Sequence, residues 1–283
     1  MSLTLAVAAG IGSALAYGAG TAGQHAAAYT GSADAEKLVE LLRNPRWLVG
    51  TAGDFVGIIL QLIALDSGPV VLVQPLLVLS LPVAVVLRSV LGAPRPTARD
   101  LLNCAALIAA LAFFFVLLGE PHRGRPIRLA ESCWTSILAF VLGGLAILIM
   151  RKRPPVPRAI TFGAVAGCWF GVVSVLIEAV SKVFSDRGVA GFGHPQGFVP
   201  LIGVVVLAVV GYLLVQIGFQ LGPLGASFPP NLVLDPIVAV ALGAALLGER
   251  VPLDPLRVLG YLVCVGLIGW AAIRLAEPDH AHA

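Results

Sequence analysis

Four ionisable side chains fall inside stretches that are otherwise hydrocarbon: Asp54, Asp235, and Glu178 with Lys182. A charge that deep in a bilayer costs roughly 2.5–3.5 kcal/mol even on the lenient insertion scale, so each needs a partner or a role. Asp54 has no basic partner on its own helix. Ile58 and Gln61 follow one and two turns later on its face, which points to a water-filled interior or to neighbouring amides and hydroxyls. Asp235 directly precedes Pro236, whose missing N–H and ring clash disturb the local backbone. Two roles fit it: bonding a freed backbone donor, or forming a cation or proton site at a distorted segment. Glu178 and Lys182 have the i, i+4 spacing and the order that favour a neutralising helical pair, whereas a snorkelling Lys182 would leave Glu178 able to accept a proton. Gln61, Gln74, Gln216, Gln220 and Asn231 either line the same cavity or act as hydrogen-bonding glue between helices. Together with the four ionisable groups they form the expected solute or ion pathway.

Other chemistries find no support. No nucleophile motif, Gly-rich phosphate loop or metal-ligand cluster appears, so enzymatic activity, a cofactor and ATP-driven transport by this chain alone are not expected. Cys104, Cys133, Cys168 and Cys264 lie in or at the start of apolar runs without C-x-x-C spacing and read as small packing residues. Trp47, Trp134, Trp169, Trp270 and Tyr261 read as interface anchors and packing groups. The net charge of +3 resides mostly in basic loops and suits lipid head groups, while nucleic-acid binding is excluded. Expected partners are membrane lipids, a small-molecule or cation substrate, and a second copy of the chain in a homodimer.

The elements that must position these groups are membrane spans. With 58% hydrophobic and 12% charged residues and a mean hydropathy of +0.96, the chain cannot cover a water-facing surface. About 20 apolar residues cross a core roughly 30 Å thick, and nine such runs fall near 3–25, 46–66, 69–92, 100–119, 132–150, 158–183, 199–220, 224–248 and 256–275. No basic residue precedes the first run, so it reads as a retained span rather than a cleaved signal. Residues 33–45 are too polar to span. Leu38, Leu41 and Leu42 share a helical face there, which fits a short interfacial helix or an ordinary solvated loop. Residues 277–283, with His280 and His282, read as a disordered tail.

An internal repeat organises the spans. Residues 57–83 and 211–237 match at an offset of 154 through Gly57/Gly211, Leu60/Leu214, Gly68/Gly222, Pro69/Pro223, Pro75/Pro229 and Pro82/Pro236. Ala6, Gly10 and Ala14 match Gly163, Gly167 and Gly171 at 157, a small-residue stripe suited to close helix packing. Residues 1–120 thus form one four-helix repeat and 158–276 a second, joined by a linking helix at 132–150. Four crossings plus one linking span invert the second repeat relative to the first, the symmetry used for alternating access. The fold expected is an all-α polytopic membrane protein whose helices break at Pro75, Pro82, Pro229, Pro230 and Pro236. Eleven of the 18 Lys and Arg residues lie on one side, which places the N-terminus outside and the C-terminus in the cytoplasm of a plasma membrane.

Gln61-Leu-Ile-Ala-Leu, Gly68-Pro69 and the Pro75 helix, followed by Gln216-Ile-Gly-Phe, Gly222-Pro223, Asp235-Pro236 and Gly248-Glu249-Arg250, resemble the EamA-like drug/metabolite transporter superfamily over nearly the whole chain. The resemblance implies secondary transport through a central cavity. Trp47 opening the second span and Pro75-Leu-Leu-Val-Leu-Ser80 in the third are also similar to the NIPA-type magnesium transporters of that superfamily, which makes a divalent-cation permease the alternative. Where that branch carries Gly-Glu-x-x-Asn, this chain has Gly57-Ile58-Ile59-Leu60-Gln61, with Asp54 the nearest carboxylate. A non-transporting scaffold or regulator is the third reading.

Overall fold

The computed structural model describes residues 2–28, 43–90, 95–120, 122, 124–221 and 224–276. The expected interfacial helix at 33–45 falls mostly outside the described residues, as do Gly222-Pro223 and the tail at 277–283. Among the described residues every regular element is a helix, and nine segments are long and apolar enough to cross a membrane. They coincide with the nine runs read from hydropathy, because twenty-odd apolar residues can satisfy their backbone groups in lipid only as helices.

The elements are α1 (Leu3–Ala28), α2 (Pro45–Ser67), α3 (Val70–Leu76), α4 (Ser80–Val90), α5 (Ala98–Leu118), α6 (Leu129–Met150), α7 (Pro155–Arg187), α8 (Pro195–Leu221), α9 (Leu224–Leu242) and α10 (Pro255–Ala276). Their starts follow local chemistry. Asn44 caps α2 by accepting from the Arg46 amide at 3.0 Å, with Pro45 in the first turn. Thr97 and Asp100 form a reciprocal capping box at α5, with bonds of 3.2 and 2.9 Å.

The third span is broken and the eighth is not broken where the prolines stand. A single tight turn, Leu77–Leu79, separates α3 from α4. Pro75 cannot donate to the turn before it, and the restart at Ser80 puts Pro82 in a first turn, where no donor is required. In the matching span, α9 runs as one helix through Pro229, Pro230 and Pro236 and widens only afterwards, into a π-helical turn at Gly243–Leu247. The expected break at Pro229 and Pro230 is thus displaced toward the far end of the span. These two prolines remove adjacent backbone donors early in α9 without interrupting the helix.

Packing follows the glycines. α1 lies against α2 and against α3 and α4, whereas α7 lies against α8 and α9; α5 and α10 pair with each other. A methyl group on Gly163, Gly167 or Gly171 would strike the backbone of Ser227, Asn231 or Asp235, so the stripe is the seat of α9 on α7. In the first half, Gly10 admits Leu76 and Gly18 admits Ser80 and Val83. α6 touches only one flank of the bundle; Ser132 and Gly143 are its buried residues, and Val141, Leu142 and Ile149 face outward. Such apolar side chains suit lipid.

Replacing Gly167 by Leu should force α7 and α9 apart and destabilise the protein by about 1–3 kcal/mol. Gly144 and Gly266 have no neighbouring atoms within 4 Å, so Ala there should be close to neutral. Denaturant unfolding in mixed micelles measures both.

Candidate functional site

The site starts with a steric permission. Gly20 on α1 and Gly50 and Gly53 on α2 have no side chains, so the two helices approach until a Cβ on Gly20 would collide with the Asp54 carboxylate. That approach brings Gln24, near the end of α1, onto Asp54. Gln24 Nε2 donates to Asp54 Oδ2 at 2.5 Å and lies 3.4 Å from Thr51 Oγ1. The Gln24 carbonyl oxygen accepts from Gln216 Nε2 of α8 at 3.0 Å. Gln216 Oε1 in turn accepts from the Trp47 indole N–H at 3.4 Å. Thr51 and Tyr212 hydroxyls meet at 3.4 Å.

This chain has a direction. An indole N–H can only donate, so Trp47 turns the Gln216 carbonyl toward itself and its NH₂ toward Gln24, which must then aim its own NH₂ at Asp54. Gln24 and Gln216 are almost fully buried, and the chain joins α1 and α2 to α8. Two turns nearer the start of α1, the Tyr17 hydroxyl donates to Gln61 Oε1 at 2.7 Å, and a further turn on Ser13 donates to the Gly57 carbonyl at 2.8 Å.

Elsewhere in the bundle several buried polar atoms have no hydrogen-bond partner among the described residues, among them both amide atoms of Gln74, Arg158 Nε, Gln220 Oε1, Ser227 Oγ, Asn231 Oδ1 and Asp235 Oδ1. Ser227, Asn231 and Asp235 stand one turn apart along α9. Gln216 and Gln220 stand one turn apart along α8. Buried polar groups are ordinarily paired, so this set calls for water or a solute.

The opposite end of the bundle, where α2 hands over to α3, is closed differently. Glu249 is buried and its two carboxylate oxygens accept from the Val70 and Val71 amides at 2.8 and 2.9 Å. Gly248, in the left-handed region at φ 69°, turns the chain so that Glu249 can reach back. Ser185 donates to Asp66 at 3.2 Å, and the Arg125 amide donates to the Leu247 carbonyl at 2.6 Å.

Of the residues read from sequence, Asp54, Gln61 and Gln216 are bonded to α1 residues, while Asp235, Gln74, Gln220 and Asn231 are buried with unpaired polar atoms. Glu178 and Lys182 lie two and three turns beyond Gly171 along α7, toward the Glu249 end. Lys182 pairs with Asp186 at 3.2 Å, with both side chains about half exposed, so its ammonium serves a surface pair at the helix end. Trp47 serves as a packing group: it is buried and donates to Gln216. Trp169 is also buried, donating to the Ala139 carbonyl at 2.9 Å, while Trp134 and Trp270 remain outward-facing. Sequence reasoning missed Tyr17, Gln24, Thr51, Tyr212 and Glu249. Gln24 did leave a signal, as an amide at the end of a run of small residues.

The chain is 30% identical over 257 residues to an uncharacterized protein of Corynebacterium glutamicum, covering 87% of this chain and 86% of the relative. The chain belongs to that protein's family. No family model matches it, and no solved structure matches it.

Glu249→Ala should leave two amides at the start of α3 without acceptors, a loss of about 1.5–3 kcal/mol for each charge-assisted bond. Glu249→Gln, which keeps one acceptor oxygen, should lose less. Hydrogen exchange at Val70 and Val71 reports the cap directly: both amides should lose protection in the Ala variant, and unchanged protection would show that the cap is dispensable.

Proposed function

We propose that the protein is a secondary carrier of the drug/metabolite type, which moves a small polar solute across a plasma membrane by alternating access. Its N-terminus lies outside and its C-terminus in the cytoplasm. One observation carries this reading: polar side chains from both halves, Gln24, Thr51 and Asp54 on one side and Tyr212 and Gln216 on the other, meet inside the membrane span beside buried polar atoms left without partners. A scaffold has no physical need for such a centre, because each unpaired buried group reduces stability.

The inverted repeat is part of the same proposal. Packing supports it: the first helix of each half lies against the second and third helices of its own half, and the last helices, α5 and α10, pair across the halves. Contacts that join the halves occur at both ends, through Glu249 with α3 and Ser185 with Asp66 at one, and through Gln216 with Gln24 and Trp47 at the other. We infer an occluded conformation, with alternating access arising when one set opens and the other holds. The divalent-cation alternative finds no group of three His, Cys, Asp or Glu side chains gathered for a metal among the described residues.

In a background without the four native cysteines, a cysteine placed at Asp235 should react with a membrane-impermeant maleimide from either side of the vesicle. A disulfide between Asp66→Cys and Ser185→Cys should then abolish labelling from the side bearing that link and leave the other. No labelling from either side would sink the carrier reading and favour the scaffold.

A further inference from the structure

We propose that the elbow between α6 and α7 is a binding site for an anionic membrane phospholipid, whose phosphate is held by Arg151, Lys152, Arg153 and Arg158 and whose acyl chains lie along the outward wall of α6. The site is separate from the polar network around Gln24 and Asp54 and holds for a carrier or a scaffold alike.

Four cations fall within residues 151–158, and between Glu131 and Glu178 the chain contains no Asp or Glu. At the opposite end of the bundle basic residues find carboxylates: Arg125 pairs with Glu131 at 2.6 Å, Lys182 with Asp186 at 3.2 Å and Arg257 with Asp254 at 3.2 Å. Among the described residues no ion pair joins any of the four elbow cations to a carboxylate. Arg151, Lys152 and Arg153 are exposed on a turn in which the Arg151 and Arg153 amides donate to the Leu148 and Met150 carbonyls at 3.4 and 3.0 Å.

Arg158 gives the patch a fixed point. It lies in the first turn of α7, partly exposed, with its guanidinium 5.9 Å from the ring centroid of Phe162, which is itself buried. Its Nε has no hydrogen-bond partner. The protein therefore supplies this guanidinium with an aromatic face that holds it in place, but with neither an acceptor for Nε nor a counter-charge. A phosphate provides both kinds of partner, through charge-assisted hydrogen bonds to the arginine fork. Pro154, Pro155 and Pro157 bring no amide N–H, so the start of α7 offers an anion little and the side chains must hold it.

The surface that continues from the cations makes the anion a lipid. Leu145, Leu148 and Ile149, at the end of α6, are 50%, 54% and 64% exposed, and the basic turn follows them directly. Val156 and Ile160 extend this apolar surface onto α7. Acyl chains fit such a wall, and a cluster of basic residues bordering a membrane span suits an anionic headgroup. Free phosphate would leave the wall unused. An acidic protein segment would meet the cations but find no backbone partners against hydrocarbon.

The purified full-length protein in neutral detergent micelles can be titrated with dioctanoyl phosphatidylglycerol, dioctanoyl phosphatidylcholine and glycerol phosphate, with bound molecules counted by native mass spectrometry and the melting temperature followed in parallel. Phosphatidylglycerol should bind and raise the melting temperature, and the other two should bind far more weakly. Lys152→Gln with Arg158→Gln should weaken phosphatidylglycerol binding about tenfold or more, since each basic residue beside a membrane surface adds to the attraction. Arg95→Gln with Arg99→Gln removes the same charge at the same end of the bundle and should leave the affinity close to that of the parent. Arg158→Lys, which keeps the charge without the fork, should recover part of the loss. The exposed pair Lys152→Gln with Arg153→Gln repeats the test if variants at Arg158 do not fold, and should also weaken binding. Equal losses in the elbow and control variants would replace a site by a diffuse field and overturn the proposal. So would undiminished binding in the elbow variants, phosphatidylcholine or glycerol phosphate binding as tightly as phosphatidylglycerol, or polyglutamate binding in place of the lipid.

Discussion

Hydrocarbon offers no hydrogen bonds, and the rest of this structure depends on that constraint. Every polar group inside the bilayer must find its partner within the protein, carry a proton or solute, or remain unpaired at a cost. Nine long helices meet the requirement for most of the backbone. The exceptions are the places where the chain does something else. The Gly68-Pro69 turn that starts α3 leaves its first amides without intrahelical acceptors, and a carboxylate from 179 residues away accepts from Val70.

Close approach is what makes such distant pairing possible. Gly163, Gly167 and Gly171 let α9 sit directly on α7, and Gly20, Gly50 and Gly53 do the same for α1 and α2. With backbones this close, side chains as short as Asp and Gln span the gap between helices. The Trp47–Gln216–Gln24–Asp54 chain is a product of that geometry, and its direction follows from the donor-only indole at its head. The same chain ties α1 and α2 to α8.

The two halves share a scaffold and differ in chemistry. Gln61 stands where the second half has Val215, Asp66 where it has Gln220, and Leu81 where it has Asp235. The broken helices differ too. α3 and α4 are parted by a tight turn directly after Pro75, while α9 crosses its prolines intact and widens at Gly243–Leu247. In the carrier proposed above, packing would constrain glycines and prolines in both copies while a solute touched the copies unequally.

The sequence by itself determined the class and the layout: nine spans, the glycine stripe, and Asp54 and Asp235 as the charges that demand explanation. These were legible because membrane span length and small-residue spacing are local properties, read along one helix at a time. Only the tertiary structure decided the partners. Nothing local distinguishes Trp47 as a hydrogen-bond donor from Trp134 facing outward, or marks Glu249 as the cap of a helix in the other half. Lys182, four residues from both Glu178 and Asp186, satisfies the same spacing rule twice, and the fold settles its pairing with Asp186. Hydrogen bonds between residues 192 and 169 positions apart depend on which helix faces come together, and that is a property of the packed bundle alone.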